Sequence, residues 1–137
     1  MKVLIDTNIV LDDALAREPF ALEAYRITEA CARGELDGYI SAITPLNAFY
    51  VARKMVGHDR ARHMVAQLLE IYRVCALDAV VLRAAYDSGA VDFEDAVQLA
   101  SALTAGVEVV VTRDPVGYAH ASIPILTPAA LIARLDT

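Results

Sequence analysis

Apolar residues recur along this chain in two alternating rhythms. Short runs, too brief for a helix, read as strands: Val3–Ile5, Asp37–Ser41 around Tyr39 and Ile40, Arg73–Leu77, Val107–Val111 and Pro124–Leu126. Between them lie segments with helical spacing: Ile9–Ala16, Phe20–Arg33, Pro45–Val56, Asp59–Tyr72, Ala79–Tyr86, Asp92–Ala105 and Pro128–Leu135. The segment after Pro19 shows the pattern well, with Phe20, Leu22, Ala24, Tyr25, Ile27 and Ala30 on one stripe and Gly34 as the stop. Thr7 and Asn8 can cap the first helix, Thr44 the helix that starts at Pro45, and Asp78 the helix that follows it. Strands alternating with helices imply an α/β fold: a three-layer α/β/α sandwich around a parallel sheet of four to five strands. The two strongest apolar runs, Val3–Ile5 and Val107–Val111, are expected side by side in its middle, covered on both faces. The 137 residues are expected to form a single domain.

Charge narrows the functional classes. There are 18 acidic and 12 basic side chains, a formal net charge of −6, which argues against holding nucleic acid by overall charge. A local basic patch, or a site that recruits a cation to meet phosphate, stays open. The one basic concentration is Arg53, Lys54, His58, Arg60, Arg62 and His63, around the turn of an expected helical hairpin, where a solvated surface competes with a nucleic-acid contact. The apolar neighbours Phe49, Tyr50, Met55, Met64 and Leu68 divide between core packing and contact with a partner. Cys31 and Cys75 lack metal-ligand spacing and sit in apolar stretches, so buried free thiols are expected. The chain opens directly on a strand and has no apolar run of membrane-spanning length, so a cytoplasmic protein is expected.

The carboxylates carry the chemistry. Asp6 ends the first strand run and Asp114 follows the fourth, so both belong at the carboxyl edge of the sheet, where open α/β sheets bind ligands. Asp95 lies in the first turn of a helix entering from that edge, with Asp92 three residues earlier on the same side. Each has a structural explanation: Asp6 and Asp92 as helix caps, Asp95 as a dipole partner, Asp114-Pro115 as a turn, with Glu94 in solvent. Together, like charges brought from three elements to one edge repel unless a cation joins them. Oxygen-only ligands suit Mg²⁺ or Mn²⁺. Such an ion supplies hydroxide near neutral pH and stabilises charge on phosphate, the two needs of phosphodiester hydrolysis. There is no Walker-type glycine loop and no Ser or Cys nucleophile with a base at hand.

With Asp6-Thr-Asn, Asp92-Phe-Glu-Asp95 and Thr112-Arg-Asp114 in place, the chain resembles a PIN domain over nearly its whole length. The likeness is greatest to the branch opening with Val-Leu-Ile-Asp-Thr-Asn and centred on Ile-Ser-Ala-Ile-Thr…Asn. The resemblance implies a Mg²⁺- or Mn²⁺-dependent ribonuclease, of the kind found in VapC-like toxins that a small antitoxin protein silences and that form homodimers. Asp6, Asp95 and Asp114 match the family's metal-site acids. Thr7 and Thr112 match its supporting hydroxyl positions, with Asn8 beside them. The family places a glutamate in the helix after the second strand, and Asn47 stands there instead. Asn offers a neutral oxygen but no charge and no general base. Asp92 can compensate from the adjacent turn. The reading is therefore an endoribonuclease in which Asp6, Asp95 and Asp114 hold the ion, Asn47 and Asp92 assist, and Arg113, Arg53 or Lys54 meets the RNA backbone. The alternative is a catalytically weak or inactive RNA- or antitoxin-binding module. A DNA flap or a small phosphoester as substrate ranks behind both.

Overall fold

The computed structural model describes residues 1–137. Its elements run β1 (Lys2–Ile5), α1 (Thr7–Ala14), α2 (Ala21–Ala32), β2 (Asp37–Ser41), α3 (Ile43–Val56), α4 (His58–Ile71), β3 (Arg73–Cys75), α5 (Ala79–Asp87), α6 (Phe93–Thr104), β4 (Val109–Val111), a 3₁₀ turn (Pro115–Tyr118), β5 (Ile125–Leu126) and α7 (Pro128–Leu135). The five strands are all parallel, in the order β3-β2-β1-β4-β5. Val3, Leu4 and Ile5 stand opposite Val109, Val110 and Val111, so the two strongest apolar runs are neighbours at the centre.

Strand alternation explains the layers. Val3, Ile5, Ile40, Val109 and Val111 face one side, where they pack with α1, α2, α3, α4 and α7 through residues such as Ile9, Ile27, Ala52, Leu68 and Leu131. Leu4 and Val110 face the other side, against Leu99 and Ala102 of α6 and against Tyr118. Helix α5 completes that layer by packing Ala85 on Ala96 and Val97. The expected α/β/α sandwich is therefore present, with the thicker helical layer on the face of Val3 and Ile5. No helix is long and apolar enough to cross a membrane.

Several element ends differ from expectation, each for a tertiary reason. Helix α3 starts at Ile43, and Thr44 is not its cap; the buried Thr44 hydroxyl meets Thr7 Oγ1 at 2.9 Å. Helix α1 starts at Thr7, with Asp6 as the residue before it, and the Asp6 carboxylate makes no capping bond. Thr7 and Asn8 are thus helical residues and not caps. Strand β3 stops at Cys75, and β4 begins only at Val109. The other caps follow local rules: Asp78 accepts from the Val81 amide at 2.9 Å and Asp92 from the Asp95 amide at 3.0 Å. Met64 and Leu68 are core residues, whereas Tyr50 and Met55 are exposed.

Both cysteines are free and buried. Burial pushes the Cys31 thiol up to about 12 and the Cys75 thiol up to about 11, so neither is a nucleophile near neutral pH. Cys31 also fills the space over Gly38 of β2. A Cβ at residue 38 would lie 2.6 Å from Cys31 Sγ and 3.0 Å from Tyr72 Cδ1. Gly38→Ala is expected to destabilise the protein by about 1–3 kcal/mol through overpacking. In a denaturant double-mutant cycle with Cys31→Ala, the penalty should shrink, because the second change vacates the colliding atom.

Candidate functional site at the carboxyl ends of β1 and β4

The strand order places a topological switch point between β1 and β4. From β1 the chain builds outward through β2 and β3, then crosses to the other side of β1 to form β4. A crevice opens at the carboxyl ends of two such strands. Asp6 is the first residue after β1, and its amide donates to the Val111 carbonyl at 3.1 Å, which holds it against the end of β4.

Asp6 is 3% exposed, and the chain surrounds its carboxylate with donors. Gln98 Nε2 donates to Oδ1 at 3.0 Å and Thr112 Oγ1 to Oδ2 at 2.8 Å. The Tyr118 hydroxyl donates to Oδ1 at 3.5 Å. Gln98 is fixed in turn: its Oε1 accepts from the Thr7 amide at 3.2 Å and the Thr7 hydroxyl at 3.3 Å. With that proton used, the Thr44 hydroxyl is left to donate to Thr7. Strands β1 and β4 and helices α1, α3 and α6 thus meet in one buried polar network. Burial raises the Asp6 pKa, and the bonds from Thr112 and Gln98 act against the rise.

Outside this network the negative charge gathers without a counter-ion. Asp92, Asp95 and Asp114 line one cleft of about 490 Å³, whose far wall includes Gly117 and His120. Asp6 stands behind it. Burial, then the charges of Asp6, Asp92, Glu94 and Asp114, push the Asp95 pKa up to about 7. None of Asp6, Asp92, Asp95 and Asp114 is ion-paired with an Arg, Lys or His side chain. Glu94 takes part in this field from a half-buried position, where solvent exposure was expected. Gly117 explains the close approach of the 3₁₀ turn: a Cβ there would fall on Asp95 Oδ2.

The aspartates share one field, and Asp92, Asp95 and Asp114 share one opening, but they do not close into a ligand shell. No three His, Cys, Asp or Glu side chains stand close enough together to hold one ion. The donor set nonetheless fits a hard dication: it is oxygen only, and its surplus charge lacks a protein partner.

The remaining expected residues fall in different places. Thr7 and Thr112 bond within the Asp6 network. Asn8 is exposed and accepts from Arg17, through its carbonyl at 3.1 Å and its side chain at 3.3 Å. Asn47 is half-buried on α3, one turn beyond Thr44, and makes no side-chain hydrogen bond. Arg113 is turned from the cleft onto Asp12, with Nε 2.8 Å from Oδ2. Arg53 and Lys54 occupy the last turn of α3, about 14 Å along the helix from Thr44. Sequence reasoning missed Gln98, Tyr118, Gly117 and Asp12. Gln98 left a signal: it is a polar residue on the apolar face of α6, three positions from Asp95.

The raised Asp95 pKa sets a pH dependence. Between the ordinary carboxyl value of 3.8 and about 7 the folded state binds more protons than the unfolded chain, so stability falls as pH rises through that window. In chelator, the melting temperature of Asp95→Asn should exceed that of the wild type by a wider margin at pH 7.5 than at pH 4.5.

The PIN domain family model matches residues 2–115. Among solved structures the chain is similar to a toxin–antitoxin complex from Klebsiella pneumoniae, with 25% identity and a TM-score of 0.69, covering 92% of this chain and 97% of that one. It is also similar to DNA-bound VapBC from Salmonella typhimurium, with 20% identity and a TM-score of 0.72 over 93% and 98% of the two chains. VapC20 from Mycobacterium tuberculosis, a sarcin–ricin loop cleaving toxin, shares 17% identity and a TM-score of 0.71 over 85% and 93%. The last two likenesses bear on the fold alone. No curated protein matches the sequence. The family model spans residues 2–115, most of the chain, so this protein belongs to the PIN domain family.

Proposed function

We propose that this protein is a divalent-metal-dependent endoribonuclease, the toxin of a toxin–antitoxin pair. The observation that carries the reading is the gathering of Asp6, Asp92, Asp95 and Asp114 at the β1/β4 switch point with no ion pair to any of them. Asp6, Asp95 and Asp114 would hold Mg²⁺ or Mn²⁺, with Asp92 and Asn47 assisting. When bound, the ion supplies an activated water near neutral pH and charge stabilisation at the phosphate. The protein's own contribution is orientation. Gln98, Thr112 and Tyr118 fix the Asp6 carboxylate, and the Gly117 turn lets the backbone close over Asp95. An RNA strand would enter the open cleft beside Asp95 and Asp114. Arg53 and Lys54 would meet the RNA only at a distance, on the basic rim of the helical hairpin.

The likeness to a toxin–antitoxin complex supports a small antitoxin partner. An apolar groove of about 550 Å³ between α3 and α4, lined by Leu46, Phe49, Val65 and Leu69 with Arg62 and His58 at its rim, suits an amphipathic segment of such a partner. A homodimer is part of the same reading. Asn47 favours a second reading, a PIN domain that binds RNA or antitoxin without cutting, because it supplies no charge where the family carries glutamate.

Purified protein with Mn²⁺ should cleave single-stranded RNA, and Asp6→Ala or excess chelator should abolish the products on a gel. Equal cleavage by wild type and Asp6→Ala would end the proposal. Mn²⁺ binding without any cleavage would favour the inert module. Gly117→Ala should reduce turnover about 10- to 100-fold while the melting temperature changes little, because the added methyl displaces only the end of the Asp95 side chain.

A further inference from the structure

Asp12 is 1% exposed, and its carboxylate lies between two arginines. Arg17 Nε approaches Oδ1 at 2.9 Å. Arg113 Nε approaches Oδ2 at 2.8 Å and its Nη2 approaches Oδ1 at 3.4 Å, a two-pronged grip. The Arg113 guanidinium also lies over the Phe20 ring, 4.0 Å from its centroid. A buried charge cluster of this kind adds little net stability, since desolvation offsets most of the attraction. What it provides is a fixed geometry, and its position in the chain shows what is fixed.

Arg113 stands between Thr112 and Asp114. The Thr112 hydroxyl donates to Asp6 and accepts from the Asp114 amide at 3.0 Å. One short segment therefore touches Asp6, carries Asp114, and is held by Asp12. Helix α1 begins directly after Asp6 and carries Asp12 in its second half. The segments that leave β1 and β4 at the switch point are thus joined twice, at Asp6–Thr112 and at Asp12–Arg113.

We propose that Asp12 is a positioning residue: through Arg113 it sets where the Thr112–Asp114 segment presents the Asp114 carboxylate relative to Asp6 and Asp95. The inference rests on the metal-nuclease reading of the site. Arg113 accordingly acts as part of the frame, and its role is separate from any contact with RNA.

Two measurements on the full chain test it. The first is Mn²⁺ titration by calorimetry on wild type, Asp12→Asn, Arg113→Gln and Leu68→Ala, a core truncation on α4 that controls for lost stability. Asp12→Asn and Arg113→Gln should weaken Mn²⁺ binding about 10- to 100-fold, and Leu68→Ala should bind as the wild type does. The second is hydrogen exchange in chelator, where the Asp114 amide should lose protection in Asp12→Asn and keep it in Leu68→Ala. Wild-type Mn²⁺ affinity in Asp12→Asn, or an equal loss in Leu68→Ala, overturns the proposal. If the wild type itself binds no Mn²⁺, the metal reading falls and the exchange measurement decides the clamp. Unchanged protection of the Asp114 amide then overturns it, and selective loss supports it.

Discussion

A carboxylate buried at the end of the central strand constrains everything around it. Left alone in an apolar setting, Asp6 would be costly, and its charge would tend to be neutralised by a proton. The chain answers with donors from the end of β4, from α6 and from the 3₁₀ turn, and Gln98 among them is held by Thr7 of α1, which bonds Thr44 of α3. Satisfying one side chain therefore fixes the relative positions of most elements that border the crevice. A network of this kind tolerates few vacancies, because each member removed leaves another buried polar group without a partner.

The second constraint is electrostatic. Inside the network, hydrogen bonds stabilise charge on Asp6. Outside it, Asp95 faces that charge together with Asp92, Glu94 and Asp114. The protein thus concentrates negative potential at the one edge of the sheet where the strand order opens a cleft. It commits its nearby cations elsewhere: Arg17 and Arg113 both turn to Asp12. The acids form no ion pair while the adjoining arginines are held on Asp12, and this division of charge gives the cleft its chemical character.

Much of the architecture was legible in the chain. Val3–Ile5 and Val109–Val111 are apolar on both faces, as central parallel strands require, and the glycines and caps punctuate the helices. The placement of Asp6 and Asp114 at one edge followed from strand direction, and that of Asp95 from the helix that enters there. Departures from expectation cluster at the site. Thr44 and Thr7 looked like helix caps because short hydroxyl side chains favour that local role; a buried partner 2.9 Å away took the Thr44 hydroxyl instead. Arg113 looked available to a ligand because it adjoins Asp114, but the partner it found, Asp12, lies 101 residues away in sequence.

Periodicity and strand direction, both properties of local sequence, determined the layers, the parallel sheet and the edge at which the acids gather. The identity of each polar side chain's partner was decided only in three dimensions. Gln98 belongs to an apolar helix face by position, and Gly117 to an ordinary turn. Each acquires its meaning from a carboxylate brought against it by folding, Asp6 in one case and Asp95 in the other. Hydrophobic burial follows patterns repeated every few residues, whereas a hydrogen bond depends on a few tenths of an ångström between groups that sequence spacing does not relate.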